Sequence, residues 1–205
     1  INPDGSYLFT RATYQGFDMN RDHMALKAPE LAYLHTAYRY FMPEVAIDFH
    51  EFGFYGVTED GYMRNADDLQ VTPATSLNDD ERVTQLGLDA VDTLHRNAED
   101  SGLRVYHYGI TVNNPIGRAY YGLYNSLSVL VETRGIGAGA TNFERRVYSQ
   151  QLSAHSIIDY AVANDDAINE AVADARLQVI ADGEAFNSDD IVVLHQVASG
   201  ATQSA

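Results

Sequence analysis

The sequence predicts a single α/β domain built in three layers, with helices on both faces of a central sheet. A chain of 205 residues with 45% hydrophobic content is long enough to form one sizeable core. Two apolar, β-rich segments end in charged residues, "EVAIDFHEF" at 44–52 and "LSVLVETRG" at 127–135, and helical patterns alternate with them. In α/β folds of this kind, functional groups gather beyond the carboxyl ends of the strands.

The first half of the chain is predicted to contain two helices and one strand. Residues 1–28 are mostly loop, opened by the turn signal "NPDG". A helix follows from Pro29 and ends at Pro43, and the strand "EVAIDFHEF" comes next. Residues 52–77 lack periodicity, which predicts a long surface loop. Asn78, as an N-cap with Glu81 three residues later, is predicted to begin a second helix that runs to Gly102.

The second half is predicted to add two strands and a long helical region. The segment "LRVYHYGI" predicts a strand, residues 112–118 a loop, and "YNSLSVLVETRG" a buried strand. Thr141 and Glu144 form a capping box that opens helical structure reaching about Gly183, with a break near Asn164. We assign residues 1–190 to the domain, and residues 191–205 to a last strand and a flexible tail.

The composition excludes several classes of partner. The formal net charge is −16, from 29 acidic and 13 basic residues, and would repel a phosphate backbone or an anionic membrane surface. No apolar run in the sequence is long enough to span a bilayer. Because the chain has no cysteine, only His, Asp and Glu are available as strong ligands for a transition metal. We therefore expect no nucleic-acid partner and no membrane span.

The first residue that points to chemistry is His50, at the end of the strand "AIDFHEF". The strand period of two places Asp48 and His50 on one face, with Phe49 and Glu51 on the other. An imidazole at the carboxyl end of a strand lies where an α/β fold keeps its active site. The alternative is an ordinary core histidine satisfied by a hydrogen bond.

The second is Glu132, in "LSVLVETRG". This carboxylate follows five mostly apolar residues, so it leaves a buried strand for a region where desolvation and a nearby cation would tune its pKa. A general base at neutral pH needs such a setting. An ion pair between Glu132 and Arg134, which share a face of the strand, explains the same residues without any catalytic role.

The third element is the polar loop "TRATYQGFDMNRDH". It places Arg11, Asn20 and Arg21 close together in a protein otherwise rich in acids. Arginine is suited to bidentate capture of a carboxylate, so the loop offers an anion clamp. The alternative is a solvated loop whose arginines balance local acids such as Asp18 and Asp22.

Together these pieces resemble the zinc metallocarboxypeptidase family in its bacterial form. The resemblance covers roughly the first two thirds of the chain and depends on motifs in the family's order: "NPDG" at 2–5, Arg11, "NRDH" at 20–23, "DFHE" at 48–51 and "VETRG" at 131–135. It implies a carboxypeptidase-like fold with a mixed, mostly parallel central sheet, and a zinc ion as cofactor.

The resemblance also implies a role for each matching residue. His50 looks like the family's last zinc ligand, and Glu132 like the catalytic glutamate that takes a proton from the zinc-bound water. Arg11 looks like the arginine that polarises the scissile carbonyl and stabilises its oxyanion. Asn20 and Arg21 look like the pair that holds the terminal carboxylate of the substrate.

The family places a mobile tyrosine over the substrate, and its identity in this chain stays open. Tyr108, Tyr120 and Tyr121 are the candidates, of which we select Tyr108. Arg118 lies in the loop where the family sets its side-chain preference. It could favour an acidic terminal residue, or it could form an exposed salt bridge.

The chain departs from the family in one motif. The first two zinc ligands of the family come from H-x-x-E upstream of "NPDG", and none of the seven histidines here has a glutamate three residues later. We therefore expect an N-terminally incomplete domain. A single imidazole cannot hold zinc at catalytic strength, so zinc should be absent or weakly bound and the chain inactive as it stands.

Three functions follow from these observations. The first is a zinc carboxypeptidase acting on peptide or protein C-termini, and the second is a zinc-dependent deacylase of N-acyl amino acids. The third is a non-catalytic module that binds the terminal carboxylates of peptides. Relatives in the family are often secreted or periplasmic, and we expect one of these locations here.

Overall fold

The computed structural model describes residues 11–53, 67–109, 116–136 and 139–185. In chain order, its helices and strands are α1 Pro29–Phe41, β1 Val45–Gly53, β2 Leu69–Pro73, α2 Glu81–Asp100, β3 Val105–His107, α3 Gly117–Gly122, β4 Leu127–Ile136, α4 Phe143–Ala163 and α5 Asp165–Glu184, and a 3-10 turn, Met19–Arg21, precedes α1. Within the described ranges, no helix is long and apolar enough to cross a bilayer.

The strands form one mixed sheet in the order β1-β4-β2-β3. β1 runs parallel to β4 and β2 parallel to β3, whereas β2 and β4 are antiparallel. The predicted α/β class and the mostly parallel sheet are therefore confirmed. Because parallel strands end at the same edge of a sheet, the carboxyl ends of β1 and β4 lie side by side.

The main core lies on one face of this sheet. Apolar side chains of alternate β2 and β4 residues, Leu69, Val71, Val129 and Val131, pack against α2, α4 and α5. The three helices contribute Leu94, Ile157 and Val172 to the same core. Each of these side chains is almost fully buried. The intervening side chains, Glu132 among them, therefore point to the opposite face.

Helix α3 contacts β4 and β1, and side chains of α1 pack against α3. The contact between the two helices is aromatic: the ring of Tyr120 stacks on His35 with centroids 3.7 Å apart, and Tyr121 lies 4.7 Å from Tyr38. This second layer leaves the carboxyl ends of β1 and β4 next to the 3-10 turn, where the predicted site residues converge.

The predicted loop at 52–77 is wrong in its second part. Residues Leu69–Pro73 form β2, a fully buried strand between β4 and β3, and Phe52 and Gly53 still belong to β1. Residues 54–66 lie outside the described part. β2 escaped detection because it is short, includes Gln70 and Thr72, and ends in a proline. The strand alternates apolar and polar residues, but over too few positions to stand out, and it pairs with neighbours on both edges.

Two predicted helix caps are also wrong. α2 begins at Glu81, and its N-cap is Asp80, whose carboxylate accepts hydrogen bonds from the N–H groups of Arg82 and Val83. α4 begins at Phe143 after Asn142, a residue with left-handed backbone and no side-chain cap. The observed N-caps therefore lie two residues after Asn78 and one residue after Thr141. At α2 the reason is that a neighbouring aspartate competes with Asn78 for the same role.

Other predicted elements are confirmed. α1, β1 and β4 occur where expected, β3 covers the middle of "LRVYHYGI", and the helical region breaks at Asn164. The predicted loop at 112–118 overlaps α3, which begins at Gly117. The "NPDG" turn and residues 191–205 lie outside the described residues, so the predicted last strand stays a prediction.

Candidate active site

The sheet brings His50 and Glu132 together. In the parallel pairing of β1 with β4, His50 is the register partner of Glu132, and Asp48 is the partner of Leu130. Register partners project to the same face of a sheet, so the imidazole and the carboxylate lie side by side at its carboxyl edge. The predicted pairing of Asp48 and His50 on one face is also found, since Nε2 of His50 lies 2.8 Å from Oδ1 of Asp48.

The hydrogen bond to Asp48 selects the tautomer of His50. An ionised carboxylate only accepts, so Nε2 of His50 carries a proton and donates it, and in the neutral imidazole this leaves the lone pair on Nδ1. Burial alone would lower the pKa of His50, but the hydrogen bond and negative charge of Asp48, with Glu132, outweigh burial and raise it. A carboxylate that orients a histidine and increases its basicity is the usual support for a metal ligand.

Glu132 lies in a partly desolvated position. Burial raises the pKa of its carboxyl above the ordinary value, although the electrostatic effects of His50 and Arg11 act in the opposite direction. This environment is the one predicted for a general base. Arg134, the alternative partner predicted from the sequence, instead donates from Nη2 to Oδ1 of Asp68 at 2.9 Å.

Asn20 links the polar loop to the sheet. Its amide Nδ2 lies 3.5 Å from Nε2 of His50, and its Oδ1 accepts a 2.7 Å hydrogen bond from the N–H of Gly117. Arg21, next along the chain, is exposed and donates from Nη1 to the backbone oxygen of Asn20 at 2.7 Å. The two residues predicted to hold a carboxylate therefore lie together, with Asn20 next to His50.

Arg11 is placed differently from the simplest prediction. Its Nε donates to Oδ2 of Asp18 at 2.6 Å, as the alternative of a locally balanced loop requires. The side chain is nevertheless 55% exposed, and its charge acts on both His50 and Glu132. Arg11 thus lies at the border of the site with a partner in its own loop.

The structure separates the three tyrosine candidates. Tyr120 and Tyr121 belong to the aromatic contact between α1 and α3, and burial raises the pKa of Tyr121 to about 12. Tyr108 is 39% exposed, and its ring lies 5.7 Å from the guanidinium carbon of Arg118. Of the three, Tyr108 is therefore the one whose side chain has room to move.

The burial of Arg118 contradicts one expectation from the sequence. The exposed salt bridge considered from the sequence is wrong, because the side chain is only 1% exposed. Burial lowers the pKa of its guanidinium, while Tyr108, Glu132 and Asp48 act in the opposite direction. The arginine is thus a desolvated cation within range of the charges of the site.

The described residues do not form a complete metal site. In the part of the chain that the structure describes, no three His, Asp or Glu side chains come close enough together to hold a metal ion. Glu51, next to His50, is held by Arg146 through bonds of 2.7 and 2.8 Å. His50 fits the requirements of one zinc ligand, and a zinc site needs further ligands besides it.

Sequence reasoning missed two residues that shape this site. The backbone of Gly117 lies close to Asp48 and His23. A Cβ added to this glycine would be 2.7 Å from Oδ2 of Asp48 and 3.2 Å from Nε2 of His23. Gln70, on the undetected strand β2, is the register partner of Glu132 and is 7% exposed. The glycine before "RAYYG" was a visible signal for the first, whereas the second required the strand pairing.

A sheet with an imidazole and a glutamate at adjacent strand ends, and an Asn-Arg pair beside them, defines the class as metallocarboxypeptidase-like. No family model matches the chain. Over 190 residues it is 33% identical to "Probable carboxypeptidase 2" of Trichophyton verrucosum, covering 83% of this chain and 36% of that protein. "Carboxypeptidase 2" of Trichophyton rubrum gives 33% identity over 190 residues, 83% of this chain and 35% of that one.

The solved structures agree on the fold. A metallo-carboxypeptidase from Burkholderia cenocepacia superposes with a TM-score of 0.61 at 16% identity, covering 79% of this chain and 43% of that one. The chain belongs to the metallocarboxypeptidase family. It spans about a third of the length of the curated relatives it matches.

Proposed function

We propose that this chain carries the substrate-binding and proton-transfer side of a zinc carboxypeptidase, an enzyme that hydrolyses the C-terminal bond of peptides and proteins. The observation that carries the proposal is the pairing of His50 with Glu132 across β1 and β4, with Asn20 3.5 Å from the imidazole. The family relationship supports the same reaction class.

Asn20 and Arg21 are proposed to hold the terminal carboxylate of the substrate. The exposed guanidinium of Arg21 can meet a carboxylate in bidentate fashion, and the amide of Asn20 adds a directional donor. The bond from Gly117 to Oδ1 of Asn20 fixes the amide, so its Nδ2 is the group turned toward His50. Recognition of this kind restricts the enzyme to chain ends.

Glu132 is proposed as the general base that removes a proton from the attacking water and returns it to the leaving amine. Its desolvated position supports this role, because burial raises the pKa of the carboxyl and so strengthens it as a base. Arg11 is proposed to stabilise the oxyanion, for which its exposed guanidinium would exchange Asp18 for the substrate. Tyr108 is proposed to close over the bound peptide.

Zinc is the proposed cofactor, with Nδ1 of His50 as one ligand. When held by three protein ligands, zinc acts as a Lewis acid and lowers the pKa of water to near 7. Because the sequence has no H-x-x-E, we propose that the other ligands lie outside it and that these 205 residues alone are inactive. Secretion or a periplasmic location stays a prediction.

A non-catalytic module that binds peptide C-termini is the second candidate. It is favoured by one observation, the lack of a three-ligand cluster among the described residues. A binding module of this kind gives no role to the desolvated carboxyl of Glu132, so we rank this candidate lower. A deacylase of N-acyl amino acids also stays a prediction, since no contact in the described site favours it over a peptidase.

The test compares two glutamates in a longer chain that joins an H-x-x-E segment upstream of Ile1. We expect this chain to release the terminal amino acid from a blocked dipeptide, and Glu132→Gln to lower kcat about 100-fold or more. Glu51→Gln is the matched control, because Glu51 pairs with Arg146 and should change kcat little. Full activity of Glu132→Gln would exclude the proposed base.

A further inference from the structure

Two buried histidines form a hydrogen-bonded pair close to the proposed site. Nδ1 of His23 lies 3.0 Å from Nε2 of His35, and the two residues are only 6% and 2% exposed. The ring of Tyr120 stacks on His35 and covers it. His23 is the last residue of "NRDH", whose first two residues belong to the proposed carboxylate clamp. Neither histidine has a part in the chemistry proposed above.

The second ring nitrogen of His23 lies near Asp48. The position that a Cβ on Gly117 would take is 3.2 Å from Nε2 of His23 and 2.7 Å from Oδ2 of Asp48, so both atoms face the same gap beside the glycine backbone. The charge of Asp48 also acts on His23, where it opposes the lowering of the pKa by burial. The other oxygen of this carboxylate, Oδ1, accepts the hydrogen bond from His50. The two oxygens of Asp48 therefore face two different histidines.

The carboxylate selects the arrangement of protons in the histidine pair. Burial lowers the pKa of His23 to about 4 and also lowers the pKa of His35, so both rings are neutral at pH 7. The hydrogen bond between two neutral rings contains one proton, which either ring could donate. If His23 donated it, the lone pair on its Nε2 would face the negative charge of Asp48, which is unfavourable. If His35 donates it, Nε2 of His23 carries a proton beside the carboxylate.

We infer that His23, held by His35, is a positioning residue for the proposed zinc ligand His50. The N–H at Nε2 of His23 stabilises the carboxylate of Asp48 on one side, while His50 donates to the same carboxylate on the other. Gly117 leaves the room for this approach because it has no side chain. The inference rests on the proposed function, since the pair positions a ligand only if His50 binds zinc. Such outer partners fix the orientation and basicity of a ligating histidine.

The first test reads the tautomers of the histidines in the 205-residue chain, so it requires neither zinc nor activity. Long-range correlation of ring protons with ring nitrogens identifies the protonated nitrogen, at a pH at which His50 is neutral. We expect the proton on Nε2 in His23, His35 and His50. A His23 ring with its proton on Nδ1 would overturn the inference.

Two substitutions of His23 separate positioning from packing. The amide nitrogen of glutamine can take the place of Nε2, whereas that of asparagine can take only the place of Nδ1. His23→Gln should therefore keep a donor toward Asp48 and leave His50 in the Nε2–H form, and His23→Asn should give a mixed tautomer of His50. His155→Asn, at an exposed position on α4, is the control and should leave His50 unchanged. If both His23 variants leave His50 unchanged, the pair only fills space and the inference fails.

Zinc affinity in the longer chain with an H-x-x-E segment gives the second readout. His23→Asn should bind zinc about 10- to 100-fold more weakly than the unsubstituted longer chain, and His23→Gln should recover part of this loss. Unchanged zinc affinity in His23→Asn would contradict the inference. If the unsubstituted longer chain holds no zinc, the proposed function fails, and the tautomer of His23 then decides whether the described arrangement of the pair is right.

Discussion

The packing at Gly117 makes a quantitative prediction about the site. In Gly117→Ala the new methyl group would lie 2.7 Å from Oδ2 of Asp48 and 3.2 Å from Nε2 of His23. Ordinary contact is about 3.5 Å, so the carboxylate of Asp48 must move by roughly 0.8 Å. Overpacking of a tight site costs about 1–3 kcal/mol, and we expect the free energy of unfolding to fall by that amount.

The displaced carboxylate is the one that fixes His50. A shift of Asp48 lengthens the 2.8 Å bond to Nε2, so the tautomer of His50 should become mixed in Gly117→Ala. Urea unfolding measures the first effect, and the nitrogen chemical shifts of the imidazole measure the second.

Gly183→Ala is the matched control for this change. Gly183 is exposed near the end of α5, and a Cβ there would meet nothing within 4 Å. It should leave His50 unchanged and raise the free energy of unfolding by less than about 1 kcal/mol, through helix propensity. If Gly117→Ala is as stable as the control and keeps the same imidazole signals, the described packing around Asp48 is wrong.

Two further predictions concern buried acids. Burial raises the pKa of Asp79 to about 6, although the hydrogen bond from the Ser76 N–H acts in the opposite direction. The folded state therefore binds the proton of Asp79 more tightly than the unfolded state, and stability falls as pH rises from about 4 to 6. Asp79→Asn should therefore raise the free energy of unfolding by up to about 3 kcal/mol at pH 8 and change it little at pH 3, and an equal change at both values would contradict this assignment. Burial alone would raise the pKa of Asp68, but hydrogen bonds and charge from Arg104, with the charge of Arg145, lower it, so its stabilisation is present above about pH 4 and lost in acid as pH falls through the lowered pKa. Asp68→Asn should cost about 1–3 kcal/mol at pH 7, because it removes the carboxylate that the partly buried guanidinium groups of Arg134 and Arg145 share. Unfolding in guanidinium chloride that shows no loss of stability would refute that role.

The pair at the centre of the site could be predicted because its signals are local. His50 and Glu132 each end an apolar, β-rich segment, and such segments in an α/β fold place their last residues at one edge. The neighbouring motif "NRDH" was visible as an Asn-Arg pair in a polar loop. What the sequence could not give was the register, which makes His50 the direct partner of Glu132.

The parts that could not be predicted depend on contacts distant in sequence. β2 alternates apolar and polar residues over only five positions, too few to identify a strand inside a long aperiodic segment. In the folded chain, β4 and β3 pair with it on both sides. Gln70 became a site residue only through that pairing. Arg118 looked like a surface charge, since arginine is rarely fully buried, and its burial follows from the packing of α3 on β1 and β4.

The same limit applies to helix ends. Asn78, Asp79 and Asp80 are all good N-cap residues, and local sequence does not decide among them. The structure selects Asp80 because Asp79 is turned inward, where its Oδ2 accepts from the N–H of Ser76 at 2.8 Å. The choice of N-cap determines which carboxylate is turned inward. It therefore determines which carboxylate makes the stability depend on pH.

The central claim is that His50 is one ligand of a zinc site next to the base Glu132. The most direct test is the amount of zinc that each chain retains. Zinc would be measured after loading and dialysis in these 205 residues, in the longer chain that adds an H-x-x-E segment, and in His50→Ala of that longer chain. We predict well under one zinc ion for the first, close to one for the second, and a large loss for the third. One tightly held zinc in the 205 residues alone, or undiminished zinc in His50→Ala, would contradict the account.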